Sequence, residues 1–564
     1  MTASLPPSLQ AAHRVVEALI GSGTRDFAYC PGSRNAPFAY VLARAEAAGR
    51  VRVHTFAEER GAAFWALGAA QALGGKTPVA VLTTSGTAVA ELHPALEEAA
   101  HQGLPVVAVT ADRPFEMSAV GASQSTRQQG LLASAVIAEV DIPADSSGSA
   151  IQNRVFRVLA RTLGLGGRPG PAHLNVALRD PLVPEDMETY FAPESPEGDA
   201  ASAKNPALFA LTRECVPQSF PLWDEVVNPQ LRTVVVAGAV EPRGQDIARS
   251  VVEQAALRGL PLLAEPSSGV TDSPNWIAHQ PWLLERLADE VEQVIVVGKP
   301  TLSRPVARLL SREDMRIVVI ADHEQWPGSG HGETTVVPGL RASKGEVDST
   351  GGSWLARWQL VAREADDVLV RHDLDGELDY LTAARAIWSA DPKVDLWLGA
   401  SNTVRAFDLG VSAPGRTGVF TNRGLAGIDG SISSALGVQA MRGRPLRAVM
   451  GDLTFTYDLP SLAARPGTPP DLQLIVFDDG GGSIFASLEH GQAPEQIYER
   501  YFAVPQQLDI IQVAQACGWN ARDITTLNQF EAALADPVQG RSLLHLKVPR
   551  PAGLFKRINS QICQ

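Results

Sequence analysis

AVMGDLTFTYDLPSLAARPGTPPDLQLIVFDDGGGSIF, residues 448–485, contains two apolar runs of β-strand type, Ala448–Met450 and Leu472–Phe477. Each run ends in acid. The first closes on Gly451-Asp452, the second on Asp478-Asp479 followed by three glycines. Positions 452 and 479 are far enough apart for a helix and a return strand. A parallel βαβ unit brings the carboxyl ends of its strands to one sheet edge. Two carboxylates there, beside yielding glycine backbone, suit a hard divalent cation that holds a diphosphate.

The same grammar extends in both directions. Upstream, Val394–Leu398 runs into Gly399-Ala400-Ser401 and a helix carrying Arg405, and Gly418–Thr421 leads into Asn422-Arg423-Gly424. Near the start, strand Asp26–Cys30 meets Pro31-Gly32-Ser33-Arg34, and Val51–Phe56 delivers Glu58-Glu59 to an alanine-rich helix. Acidic residues in a first helical turn serve either the helix dipole or a ligand, and both readings stand for Glu58-Glu59. Val79–Thr83 and Pro105–Thr110 follow, the latter ending in Ala111-Asp112-Arg113, and then comes the loop Gly121-Ala122-Ser123-Gln124. Four further runs, at Thr233–Ala237, Leu260–Ala264, Val294–Val297 and Arg316–Ile320, form a middle region. Strands alternating with helices predict α/β architecture with three doubly wound parallel sheets. The predicted divisions are a domain over 1–185, a Pro/Glu/Ser-rich linker over 186–206 and a Rossmann-like domain over 207–345. A linker and helix over 346–375 and a last domain over 376–564 complete the chain. A polar run at Glu489–Arg500 is expected to form a mobile lid.

Several functions are excluded. Gly75-Lys76-Thr77 lacks the first P-loop glycine, since Ala70 stands there, and it passes from helix into strand. No GxGxxG follows a strand, which argues against a dinucleotide oxidoreductase. A net charge of −14 over 564 residues is wrong for a nucleic-acid or anionic-membrane binder. Four scattered cysteines make no zinc or disulfide framework, and no run is long and apolar enough to span a membrane. With no signal-peptide pattern at the N-terminus, the expected location is cytoplasmic.

The motifs PGSRNAPF, EERGAAFWALG, TTSGTAVAELHPALEEA, TADRP, GASQ, NRGLAGIDG and GDLTFTYDL occur in that order. Together they resemble the thiamine-diphosphate-dependent enzymes, and within them the 2-succinyl-5-enolpyruvyl-6-hydroxy-3-cyclohexene-1-carboxylate synthase (MenD) family of menaquinone biosynthesis. The resemblance implies decarboxylation of 2-oxoglutarate and 1,4-addition of the succinyl unit to isochorismate. It implies thiamine diphosphate with Mg²⁺ or Mn²⁺ as cofactors. It assigns Glu59 to the aminopyrimidine N1′ and Ile428 to the apolar wedge that bends the cofactor. Gly451, Asp452, Leu453, Asp479, Gly481 and Ser401 match the diphosphate end, with Asp452, Asp479 and the Gly481 carbonyl as metal ligands.

For the substrates, Ser33, Arg34, Arg113 and Gln124 match the isochorismate side. Ser401, Arg405 and Arg423 match the oxoglutarate side, with Ile484 and Phe485 as apolar walls and Arg304 near a further basic position. Guanidinium forks suit dicarboxylates. The chain departs from the family in carrying Asp478 and Asp479 where asparagines are usual. The added charge would tighten a metal or repel a phosphate. The family also implies a dimer or tetramer, with Glu59 of one subunit facing Asp452 of another. The alternatives are another thiamine-dependent 2-oxoacid decarboxylase or carboligase and a non-catalytic regulatory protein on the same fold.

Overall fold

The computed structural model describes residues 5–118, 120–191, 220–323, 325–327, 332–343, 352–412, 415–416, 418–463 and 469–564. The linker expected over 186–206 lies outside the described residues from position 192 on, and its described part includes a short helix, Met187–Phe191.

Three all-parallel sheets form. The first holds β1 (Asp26–Tyr29), β2 (Arg52–Thr55), β3 (Val79–Thr83), β4 (Val106–Asp112), β5 (Ala138–Ile142) and β6 (Ala172–Ala177), in the order β2-β1-β3-β4-β6-β5. The second holds β7 (Thr233–Ala237), β8 (Leu262–Ala264), β9 (Gln293–Val297), β10 (Arg316–Ile320) and β11 (Glu333–Val337), in the order β11-β10-β9-β7-β8. The third holds β12 (Asp395–Leu398), β13 (Val419–Phe420), β14 (Leu446–Gly451), β15 (Leu472–Asp478), β16 (Asn520–Ile524) and β17 (Arg541–Lys547), in the order β13-β12-β14-β15-β17-β16.

The central strands β3, β7, β9 and β12 are buried along their whole length, as parallel strands covered on both faces must be. Each sheet has a point where strand order reverses: β1/β3, β7/β9 and β12/β14. Ligands of open α/β sheets sit outside the strand carboxyl ends at such points. The loops carrying Ser33 and Arg34 (after β1), Lys299 to Arg304 (after β9), Ser401 (after β12) and Asp452 (after β14) all leave from them.

The described residues form two compact units. One gathers the first sheet with Gly424–Gly443; the other gathers the second and third sheets. Within the first unit, the helix Glu59–Ala72 packs on the helix Ser431–Arg442. Their backbones approach so closely that a Cβ at Gly68 would stand 2.0 Å from the Ser434 carbonyl oxygen, and one at Gly437 would stand 2.1 Å from that of Trp65. Glu98, on the helix His93–Gln102, fixes the entry to the second helix. Its buried carboxylate accepts the N–H groups of Gly424 (2.6 Å) and Leu425 (2.8 Å).

Candidate active site

In the first unit, Glu58 is the N-cap of the helix Glu59–Ala72, its carboxylate accepting the N–H groups of Arg60 (3.1 Å) and Gly61 (2.6 Å). Capping therefore does not need Glu59. Burial, with Glu58 and Glu91 nearby, raises the Glu59 pKa above the usual carboxyl range, so this side chain holds a proton more readily than a surface glutamate. Ile428 is half-buried in the segment between Leu425 and the helix Ser431–Arg442.

Arg34 and Arg113 come to the carboxyl edge of the first sheet. The Arg34 Nη1 donates to the Leu178 carbonyl (2.8 Å) and to Asp180 (3.3 Å), and Leu178 in turn donates its N–H to the Asp112 carbonyl, next to Arg113. Each of these arginines keeps a buried Nε without an acceptor. Ser33 and Gln124 are exposed, and Gln124 adopts a positive φ of 55° with its carbonyl accepting the Ser85 hydroxyl (2.9 Å). Beneath this edge runs a buried polar network. Gln128 accepts the Gly86 N–H (3.1 Å) and donates to Asn175 (2.9 Å), and Asn175 donates to Asp112 (2.9 Å) and Asp141 (2.8 Å).

The second unit holds the acidic strand ends. Asp452 is buried; it accepts N–H groups from Leu453 (2.8 Å) and Gly481 (2.7 Å). Burial, then the neighbouring Asp479, pushes its carboxyl up to about 7. Asp479 is also raised by burial, against hydrogen bonds donated by the Ser483 and Tyr380 hydroxyls, the latter at 2.8 Å. Asn402 donates to the Ser483 oxygen (2.8 Å), which ties the helix Asn402–Gly410 to this cluster. Gly481 (φ +113°) leaves no room for a side chain, since a Cβ would lie 2.1 Å from the Ala503 carbonyl oxygen, and its own carbonyl accepts the Ser483 N–H (2.8 Å). Asp478 does not join the pair. It bonds His545 (2.9 Å), whose other ring nitrogen meets Asp523 (2.6 Å), and the imidazole holds the Asp478 carboxyl below the usual range.

Ser401 has φ 75° and ψ −144°, a backbone state that costs a non-glycine residue about 1–3 kcal/mol and occurs mainly where function demands it. Its carbonyl accepts Nη1 of Arg405 (2.7 Å). Burial, together with the positive charges of Arg423 and Arg304, lowers the Arg405 pKa, while Asp408 and Glu265 oppose them. Arg304, Arg405 and Arg423 thus share one electrostatic neighbourhood. Ile484 and Phe485 are half-buried beyond Ser483, and the Phe485 ring packs on Phe502 (5.8 Å between centroids). The Glu489–Arg500 run folds into short helical turns, with Glu499 bonded to Arg550 (2.5 Å) and the Tyr498 hydroxyl donating to the Gly482 carbonyl (3.3 Å).

Two family models match the chain: "Thiamine pyrophosphate enzyme, N-terminal TPP binding domain" over residues 9–131, and the corresponding C-terminal TPP binding domain over residues 401–547. The 2-succinyl-5-enolpyruvyl-6-hydroxy-3-cyclohexene-1-carboxylate synthase of Renibacterium salmoninarum is 38% identical, the alignment covering 98% of this chain and 97% of the relative. The synthase of the same name from Paenarthrobacter aurescens is 38% identical over 96% and 94%, and that of Mycobacterium marinum 35% identical over 96% and 97%. The chain belongs to this synthase family. The resemblance drawn from seven motifs at the two ends of the chain therefore extends through its middle region as well.

The residues of this thiamine-diphosphate enzyme fit the cofactor and a cation. Two buried carboxylates, both raised by burial and Asp452 further raised by Asp479, are a site that a divalent cation relieves. Among the described residues no three His, Cys, Asp or Glu side chains gather as a ready-made metal cage. A cation here would hold its remaining positions with backbone carbonyl, phosphate and water oxygens, as Mg²⁺ commonly does.

Several residues escaped the sequence reading. Tyr380, Asn402 and Ser483 brace Asp479 from three separate elements. Glu265 follows β8 just as Asp452 follows β14, an apolar run closing on acid, and that pattern could have flagged it. It is 3% exposed, and burial, with Asp408 adding, pushes its carboxyl up to about 8 against the pull of Arg423. Asp408 is itself raised to about 6 by burial.

A carboxyl whose folded pKa lies above its unfolded value stabilises the fold fully below the unfolded value and progressively less as pH rises toward the folded one. For Glu265 the window runs from 4.5 to about 8. Across it, wild type loses up to about 1.4 kcal/mol per pH unit relative to Glu265→Gln, which has no proton to lose. Denaturant melts at pH 5 and pH 8 read this as a growing stability gap in favour of the variant. A constant gap would rule out a buried neutral acid.

Proposed function

We propose that this chain decarboxylates 2-oxoglutarate and adds the resulting succinyl unit to isochorismate, with thiamine diphosphate and Mg²⁺ or Mn²⁺ bound. The reading rests on one observation: Arg34, Arg113 and Arg423 each bury an Nε that has no acceptor. A buried, unpaired guanidinium donor is costly, and a substrate carboxylate satisfies it. Arg416 gives the contrast. It also buries a bare Nε, but its Nη atoms are spent on five main-chain carbonyls, as befits a structural arginine. Arg423 spends one Nη on Thr301 and Arg405 one on Ser401, so both keep donors for a ligand.

In this reading Glu59 holds the aminopyrimidine N1′ and keeps a proton within reach of it, and Ile428 supports the bend of the cofactor. Gly451, Asp452, Leu453, Asp479, Gly481 and Ser401 hold the metal–diphosphate end. Thiamine diphosphate, when bound, supplies the electron sink that lets carbon dioxide leave a 2-oxo acid. Arg405 and Arg423 hold the oxoglutarate carboxylates, with Arg304 at the rim, and Ser33, Arg34, Arg113 and Gln124 hold isochorismate. Ile484 and Phe485 exclude water. The protein self-associates so that Glu59 of one subunit serves Asp452 of another, and it works in the cytoplasm. Among the described residues no helix is long and apolar enough to cross a membrane.

The deciding assay incubates the protein with thiamine diphosphate, Mg²⁺, 2-oxoglutarate and isochorismate. It follows carbon dioxide and the mass of the product. The adduct should form only with both substrates present. Carbon dioxide from pyruvate, with none from 2-oxoglutarate, would instead indicate a different carboligase of the same fold.

A further inference from the structure

We propose that Glu265 and Thr301 are a positioning pair that sets Arg423 for one carboxylate of a 2-oxo dicarboxylic acid; the identity of that acid rests on the reaction proposed above. The loop Lys299 to Arg304 leaves the switch point of the second sheet, and it is pinned along its length. At its start, Lys299 and Ala239 exchange backbone hydrogen bonds in both directions (2.9 and 3.2 Å). A Cβ at Gly238 would stand 2.1 Å from the Lys299 carbonyl, so the two backbones touch. At its end, Ser303 caps the helix Arg304–Leu310. Between these anchors the Leu302 N–H donates to Oε1 of Glu265 (2.7 Å). The next residue back, Thr301, accepts Nη2 of Arg423 with its hydroxyl (2.8 Å).

The chemistry of this arrangement is specific. An ionised carboxylate near Arg423 would draw the guanidinium into an ion pair and compete with substrate. Glu265 is neutral over most of the physiological range, because burial raises its pKa to about 8. It therefore shapes the loop through the Leu302 N–H without claiming the arginine's charge. Thr301 offers a neutral oxygen for the same reason. Arg423 is held by one Nη, and its buried Nε remains without an acceptor. What remains is an oriented cation with donors to spare, which is what bidentate carboxylate recognition needs.

Thr301→Val keeps the shape and removes the acceptor. It should raise the KM for 2-oxoglutarate about tenfold, by loss of one charge-assisted hydrogen bond. The kcat, the KM for isochorismate and the affinity for thiamine diphosphate should stay within about twofold, the range expected when only ground-state binding of one substrate is lost. Thr301→Ser should restore the wild-type KM. Glu265→Gln, which keeps an oxygen for Leu302, should behave as wild type, and Glu265→Ala should repeat the selective KM defect. An unchanged 2-oxoglutarate KM in Thr301→Val, or equal losses for both substrates, would overturn the pair. A Gln variant as impaired as Ala would overturn the neutral-acid role. Succinate-induced thermal stabilisation of the holoenzyme needs no turnover. A smaller shift in Thr301→Val supports the pair, and equal shifts overturn it, even if wild type fails to turn over 2-oxoglutarate and the reaction proposed above is thereby lost.

Discussion

Glu59→Gln folds as wild type and loses at least about a hundredfold in turnover, the lower end of what a positioned acid–base group contributes. Stability is spared because the helix cap is on Glu58, which accepts both N–H bonds at that terminus. An amide in place of Glu59 also relieves a half-buried carboxyl of its burial and of its neighbours Glu58 and Glu91. Turnover is lost because an amide is isosteric with the acid but can neither carry the negative charge nor pass a proton. The direction of the pKa shift fits this work, since a raised pKa makes a carboxyl a better proton holder near neutral pH. Steady-state turnover measured beside a thermal melt separates the two effects. Turnover equal to wild type would remove Glu59 from the chemistry, and a large fall in melting temperature would mean that the helix start depends on it after all.

Asp452→Asn loses the stabilisation that Mg²⁺ and thiamine diphosphate confer together. In wild type, ligand at about a hundred times its Kd adds about 2.7 kcal/mol of stability by mass action. In the variant that increment should vanish, with cofactor affinity weakened at least about a hundredfold. The loss follows from removing one of two buried anionic ligands in a site that has no third acidic side chain among the described residues. The Leu453 and Gly481 N–H groups bond to different oxygens of Asp452, so asparagine keeps an acceptor for one of them and turns its NH2 group toward the other. Without metal the variant should melt close to wild type, since relief of the repulsion from Asp479 offsets the one hydrogen bond lost. Thermal shifts with and without the two ligands decide the matter, and an unchanged cofactor affinity would contradict the assignment.

The sequence carried the interior strands because a parallel strand buried on both faces reads as an unbroken apolar run, as in Thr233–Ala237. It did not carry β5 (AEVDI), β11 (ETTVV) or β16 (NARDI). These are edge strands, partly exposed and marked by charge, so neither alternation nor apolarity announces them. The candidate site divides in the same way. Strand-end residues such as Asp452 and Arg113 are legible because glycine and acid punctuate the ends of apolar runs. Their supports are not: Tyr380 reaches Asp479, and Thr301 reaches Arg423, across about a hundred residues or more of chain. No local pattern encodes a partner that far away. The acidic doublet shows the limit of motif reading: the family pattern singled out Asp479 beside Asp452, but nothing local announced that Asp478 is held by His545.

The glycine-to-backbone seam between the helices Glu59–Ala72 and Ser431–Arg442 bears on how the chain is made. One wall of the helix that presents Glu59 comes from residues that leave the ribosome more than three hundred and fifty positions later. Until they arrive, the nascent N-terminal part bears an apolar face with nothing to cover it, and closing so long a loop is slow. Its folding unit is therefore discontinuous along the gene. A cut made after the first sheet would part the Glu59 helix from its own packing partner, so fragment exchange between relatives should keep both helices from one parent.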